Sequence, residues 1–129
     1  MTADVLPLAP DELLTTTRSV RKRLDLTRPV PLELVRACVE VALQAPSGSN
    51  QQGWHWMVVT DPDLRAQIGS YYRQSHERYR TSTAYVARVD ALSAQRQVVQ
   101  ARVSSSSLFL AEHMGDVPVH VIACITAAE

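Results

Sequence analysis

The sequence predicts an α+β fold: helices beside a sheet, with only part of the sheet carried by this chain. Three observations lead there. Helical spacing of apolar residues runs through 10–17, 32–43 and 62–79, and a polar helical stretch covers 85–103. Two stretches, 54–60 and 117–126, are short, apolar and β-branched or aromatic, as strands are. Both are apolar on successive as well as alternate positions, so each is expected to be covered on two faces. Two strands cannot cover each other's faces and edges. Another chain, or a longer protein, is expected to supply the rest. A single domain over residues 1–129 fits the length.

Bulk properties narrow the class. Hydrophobic residues make up 46% of the chain, enough for a core and too many for disorder. The formal net charge is zero, which gives no support to non-specific nucleic-acid binding. The charge is uneven, since Arg18, Arg21, Lys22, Arg23 and Arg28 crowd one segment with Asp25 among them. Such a cluster is either a solvated face or a phosphate contact. The two cysteines, Cys38 and Cys124, lie among apolar residues without metal-ligand spacing, and are expected as small core filler in a reducing compartment. No metal site is expected. The first ten residues lack the basic start and long apolar run of a signal peptide, and no stretch is long and apolar enough for a membrane span. A cytoplasmic location is the resulting expectation.

In chain order, residues 1–10 read as an arm, with Val5, Leu6 and Leu8 available to pack and Pro7 and Pro10 preventing regular structure. Pro10, Asp11 and Glu12 open a short helix ending near Thr17. On a helical turn, Arg18 and Arg21 would share a face with Ser19 beside them. Two guanidinium forks and a hydroxyl suit a phosphate dianion, although two surface arginines are the favoured reading of this four-residue pattern alone. Pro29 and Pro31 shape a linker, and Pro31 opens the next helix, whose Leu32, Val35, Val39, Ala42 and Leu43 recur at helical spacing. Asp61, Pro62 and Asp63 signal another helix start, with Leu64, Ile68, Tyr71 and Tyr72 on its apolar side and a break at 81–83. The polar stretch 85–103 suits a helix covering a site or a partner. The serine run 104–107 reads as a loop or as part of a helix that resumes and stops at Gly115. His55 and His120 fall in strands and His76 and His113 on helices; all four read as core or surface residues.

The residues Ala45-Pro46-Ser47-Gly48-Ser49-Asn50-Gln51-Gln52-Gly53 join a helix to the first strand. Pro46 disfavours helix at Ala45. Gly48 and Gly53 are expected to take backbone angles that other residues avoid. Backbone N–H groups here can approach a flat polar ligand, and Asn50 and Gln52 add amide donors and acceptors. An ordinary connection rich in turn residues remains an equal reading of this stretch alone.

Taken together, Thr17-Arg18-Ser19-Val20-Arg21, the Ala45–Gln52 loop before the strand 54–60, and the Asp61-Pro62 helix start resemble the nitroreductase family of FMN-dependent oxidoreductases. The resemblance implies a mixed sheet flanked by helices. The order and separation of the motifs match, most specifically in the first sixty residues. Residues 117–125, with Pro118, look like the family's next core strand. The resemblance implies that Arg18, Ser19 and Arg21 bind the FMN phosphate and ribityl chain. It implies that Pro46, Ser47, Gly48 and Asn50 line the isoalloxazine, with Gln52 near the ribityl chain or ring edge. No side chain is implied as a catalytic acid, base or nucleophile, because the flavin carries the chemistry. The implied reaction takes electrons from NAD(P)H through flavin N5 to a nitroaromatic, quinone or related small-molecule acceptor, in ping-pong fashion. The implied assembly is an intertwined homodimer with FMN at the interface. Two departures stand out: Gly53 replaces the family's proline before the tryptophan, and the family's chain is longer.

Two further readings compete with an oxidoreductase. A truncated, non-catalytic homologue would act as a flavin- or partner-binding module, consistent with the missing strands and with exposed apolar surface around 117–125. A plain helical domain would make both motifs coincidental.

Overall fold

A computed structural model of the chain describes residues 7–85 and 93–126. The start of the N-terminal arm, the segment 86–92 of the expected polar helix and the final residues 127–129 lie outside the described residues. The architecture is α+β. Its elements are α1 (Pro10–Thr16), α2 (Leu32–Ala42), β1 (Trp54–Val59), α3 (Pro62–Thr81), α4 (Ala94–His113) and β2 (His120–Ile125), with 3-10 turns at Gly48–Asn50 and Met114–Asp116. They group into two compact units. One holds α1, α2, β1 and β2; the other holds α3, α4 and the segment Val20–Thr27.

In the first unit, α1 starts at Pro10 with Asp11 and Glu12 in its first turn, where the missing proline N–H costs nothing and the carboxylates face the positive helix end. Its end is bound up locally. Thr15, Thr16 and Thr17 hydroxyls donate to the carbonyls of Asp11 (2.7 Å), Glu12 (2.6 Å) and Leu13 (2.5 Å). Pro31 caps α2, and Val35 is its buried residue. β1 and β2 pair antiparallel, with Trp54 opposite Ile125 and Val59 opposite His120. β2 begins three residues later than the sequence suggests, because Pro118 has no N–H to give a ladder and the 3-10 turn runs to Asp116.

The strands are not covered on both faces by the described residues. Along β2, His120 is buried and Ile122 and Cys124 half-buried, while Val121, Ala123 and Ile125 on the other face are exposed. Met57 is 53% and Ile125 70% exposed. Nor does Cys38 fill a core: it is exposed, along an open apolar groove between α2 and the sheet that also includes Leu34, Val39, Trp56 and Val121. With two short helices and two strands, the unit has too little surface to bury these side chains.

In the second unit, Asp61 caps α3 by accepting the Leu64 N–H at 2.9 Å, and Pro62 occupies the first helical position. Arg65 ties the start of the helix down, donating to the carbonyls of Thr60 (3.2 Å) and Val117. Farther along α3, Gly69 meets the turn after α4. A Cβ on Gly69 would lie 2.6 Å from the Gly115 nitrogen and 2.8 Å from its Cα, so glycine permits this backbone contact. The serine run lies inside α4. Ser104 pairs with the Tyr85 hydroxyl, Ser105 accepts from Lys22 Nζ at 2.5 Å, and Ser107 lies 2.8 Å from Nε2 of the buried His76. Hydroxyls engaged with other segments compete less with the helix backbone, which explains a helix where composition also allowed a loop.

Candidate functional site

The connection from α2 to β1 is a tightly wound loop. Beyond α2, the amides of Gln44 and Ala45 bond back to Val41 and Ala42 at 3.1 Å, and Pro46 ends the winding. Ser47 is extended, and a 3-10 turn follows, closed by Asn50 N–H to the Ser47 carbonyl (3.0 Å) and Gln51 N–H to the Gly48 carbonyl (3.1 Å). The Ser47 hydroxyl oxygen accepts the Gln52 N–H at 2.9 Å, drawing the two sides together. Left-handed backbone falls on Ser49 (φ 52°), Asn50 (φ 54°) and Gln52 (φ 48°), and on no described glycine. This corrects the expectation that Gly48 and Gly53 supply the unusual angles. Asparagine tolerates this region better than serine or glutamine, so the loop stores strain at Ser49 and Gln52.

Gly48 serves instead by its small size. No heavy atom lies within 4 Å of where its Cβ would stand, so its backbone is open to an approaching ligand. A cavity of about 170 Å³ lies alongside, lined by Ser47, Gly48, Gln51, Gly53, Trp54, Ile125 and Thr126. Gln52 Nε2 donates to Asn50 Oδ1 at 3.0 Å. That bond orients both amides and leaves Asn50 Nδ2 as a donor and Gln52 Oε1 as an acceptor.

The basic motif is not helical. α1 stops at Thr16, Thr17 turns to ψ 128°, and residues 17–20 are irregular. A run of three β-branched threonines favours that stop. The shared-face argument for Arg18 and Arg21 therefore does not apply. Arg18 and Ser19 are exposed and belong to the unit that holds the loop; Arg21, half-buried, belongs to the other. Arg18 Nη1 donates to the carbonyls of Thr15 (3.0 Å) and Thr17 (2.7 Å), as basic residues do at helix C-termini. Its Nε and Nη2 donors are not used in these two bonds. Arg21 opens a turn closed by Leu24 N–H to its carbonyl at 3.1 Å.

Residue types alone gave no sign of Thr126. Strand pairing brings it to the loop, 71 positions from the His55 it contacts. Its N–H donates to the Gly53 carbonyl at 3.0 Å, and its hydroxyl oxygen lies 3.1 Å from His55 Nε2. The other histidines have structural settings: His76 against Ser107, His113 Nδ1 2.8 Å from Asp116 Oδ2, and His120 buried in β2.

Fold and loop thus define an α+β protein in which a helix–loop–strand connection presents amide donors and open backbone beside a small cavity. The sequence pattern of the Nitroreductase family matches residues 14–129, and the chain belongs to that family. Members of the family generally bind FMN. Among curated relatives, an iodotyrosine deiodinase of Nematostella vectensis is 40% identical over 55 residues, covering 40% of this chain and 21% of the relative. The iodotyrosine deiodinase of Haliscomenobacter hydrossis is 32% identical over 77 residues, covering 54% of this chain and 33% of the relative. A 4-nitrobenzoate reductase of Nocardioides sp. (strain LMS-CY) is 41% identical over 63 residues, covering 49% of this chain and 25% of the relative. The matched stretches span a third or less of these relatives. No solved structure matches the chain. Among the described residues, no helix is long and apolar enough to cross a membrane.

Proposed function

We propose that the chain contributes an FMN site to an oxidoreductase that takes electrons from NAD(P)H and delivers them to a small-molecule acceptor of the nitroaromatic or quinone type. The observation that carries this reading is the closed loop from Ser47 to Gly53, with its open Gly48 backbone and its unspent Asn50 and Gln52 amide atoms. This donor set fits the polar edge of a flavin, and the Arg18, Ser19 and Arg21 side chains fit its phosphate and ribityl chain. In this reading Pro46, Ser47, Gly48 and Asn50 line the ring, and Gln52 lies near the ribityl chain or ring edge. Bound FMN supplies the redox chemistry; the protein's share is binding, orientation and stabilisation of charge on the ring. The exposed Met57, Val121 and Ile125 support a second copy as partner, with FMN at a homodimer interface.

Titration of the chain with FMN, followed by addition of NAD(P)H, tests the proposal. A flavin spectrum that bleaches with NAD(P)H is the expected result. Arg18→Ala and Arg21→Ala should each weaken FMN binding by about 1.5–3 kcal/mol, the range for a hydrogen bond to a charged group. Unchanged affinity in both removes the phosphate role. The two open strand faces favour a second reading, a non-catalytic flavin- or partner-binding module. It predicts bound FMN that NAD(P)H does not bleach, or no FMN binding by a chain that still self-associates.

A further inference from the structure

Thr126 follows the last ladder pair of the sheet, Trp54 with Ile125, and so stands level with Gly53, where the loop becomes β1. It contacts the loop exit twice: through its N–H to the Gly53 carbonyl at 3.0 Å, and through its hydroxyl to Nε2 of His55 at 3.1 Å. Its side chain also packs at ordinary distance, 3.6 Å, from where a Gly53 Cβ would lie, and it lines the cavity shared with Ser47, Gly48 and Gln51. Within the loop, the Ser47 hydroxyl holds the Gln52 N–H. The left-handed backbone of Ser49, Asn50 and Gln52 persists only where surrounding bonds hold it. Several of those restraints are internal to the loop. Those made by Thr126 come from a strand end remote in sequence.

We infer that Thr126 is a positioning residue for the loop: its hydroxyl–imidazole bond to His55 and its main-chain bond to Gly53 fix the shape in which Asn50 and Gln52 present their amides to the flavin. The inference rests on the FMN reading above. His55 completes the clamp from β1. The imidazole nitrogen and the hydroxyl can each donate or accept, so the pair forms with either neutral tautomer.

The test uses the full chain with Thr126→Val, which keeps the β-branch and the main-chain N–H but deletes the hydroxyl, and Thr126→Ser, which keeps the hydroxyl. Two quantities are read: hydrogen exchange at the amides of Asn50 to Gly53 without FMN, and FMN affinity from quenching of flavin emission. Thr126→Val is expected to speed exchange of these amides and to weaken FMN binding by about 3- to 10-fold, the range for one neutral hydrogen bond. Thr126→Ser is expected to restore both. Wild-type exchange and affinity in Thr126→Val overturn the inference and leave the FMN reading standing. Loss in Thr126→Ser equal to that in Thr126→Val also overturns it, because methyl packing would then be the cause. A wild-type chain that binds no FMN overturns the FMN reading and this inference with it. Should Thr126→Val not fold, His55→Phe removes the same bond from the other side and is judged by the same two readouts.

Discussion

Ser49 and Gln52 hold backbone angles that glycine would adopt freely, while Gly48 beside them holds none. Two substitutions separate shape from access. Ser49→Gly should stabilise the chain by up to about 1 kcal/mol in urea unfolding, since it relieves a left-handed serine at the cost of a freer unfolded chain. Gly48→Ala should leave stability within about 0.5 kcal/mol, because its Cβ enters open space, yet weaken FMN binding if the ring lies where the proposed site puts it. A charged pair gives a pH test. The Arg80 guanidinium, hydrogen-bonded to both Glu77 oxygens at 3.1 Å, holds the Glu77 carboxyl below the ordinary value of 4.5. A carboxyl depressed on folding adds stability above its unfolded pKa, and loses it as pH falls through the folded one. Carboxyl-carbon NMR should therefore place the Glu77 midpoint below 4.5, and Arg80→Gln should raise it. At this scale the sequence shows that Arg18, Ser47, Asn50 and Gln52 carry polar side chains near the loop and the basic motif. It did not show which residues turn left-handed or that Arg18 folds back on α1, because both depend on the path of the chain.

Helix starts were legible because they depend on neighbouring residues: Pro10, Pro31 and the Asp61-Pro62 pair stand where α1, α2 and α3 begin. The serine run was not, because its helical state depends on Tyr85, Lys22 and His76, which are remote in sequence. Nor was the contact between Gly69 and Gly115, two glycines with no local reason to meet. That contact predicts the largest single effect in the second unit. Gly69→Ala forces a Cβ to within 3 Å of main-chain atoms that cannot swing aside, and should cost about 1–3 kcal/mol of stability in chemical unfolding. A loss smaller than about 0.5 kcal/mol would mean that α3 shifts to accommodate the methyl.

For the molecule as a whole, the apolar character of both strand segments already implied a larger sheet than two strands, and the open faces of β1 and β2 agree. Each strand has one edge without a strand partner among the described residues, and such edges and faces invite association. The chain should therefore sediment as larger species with rising concentration, and Met57→Lys combined with Ile125→Lys should reduce that tendency. Unchanged sedimentation would place the association surface elsewhere. The groove beside Cys38 was not legible from sequence, since an apolar neighbourhood in the chain does not say whether a cysteine is covered. One consequence of β1 lies in its optics. The chain's two tryptophans, Trp54 and Trp56, both lie on this strand, and Trp54 borders the cavity. Indole emission therefore arises from a single strand at the loop exit. It overlaps the near-ultraviolet absorption band of oxidised flavin, so energy transfer to a bound ring would darken nearly all of it and report occupancy without a label.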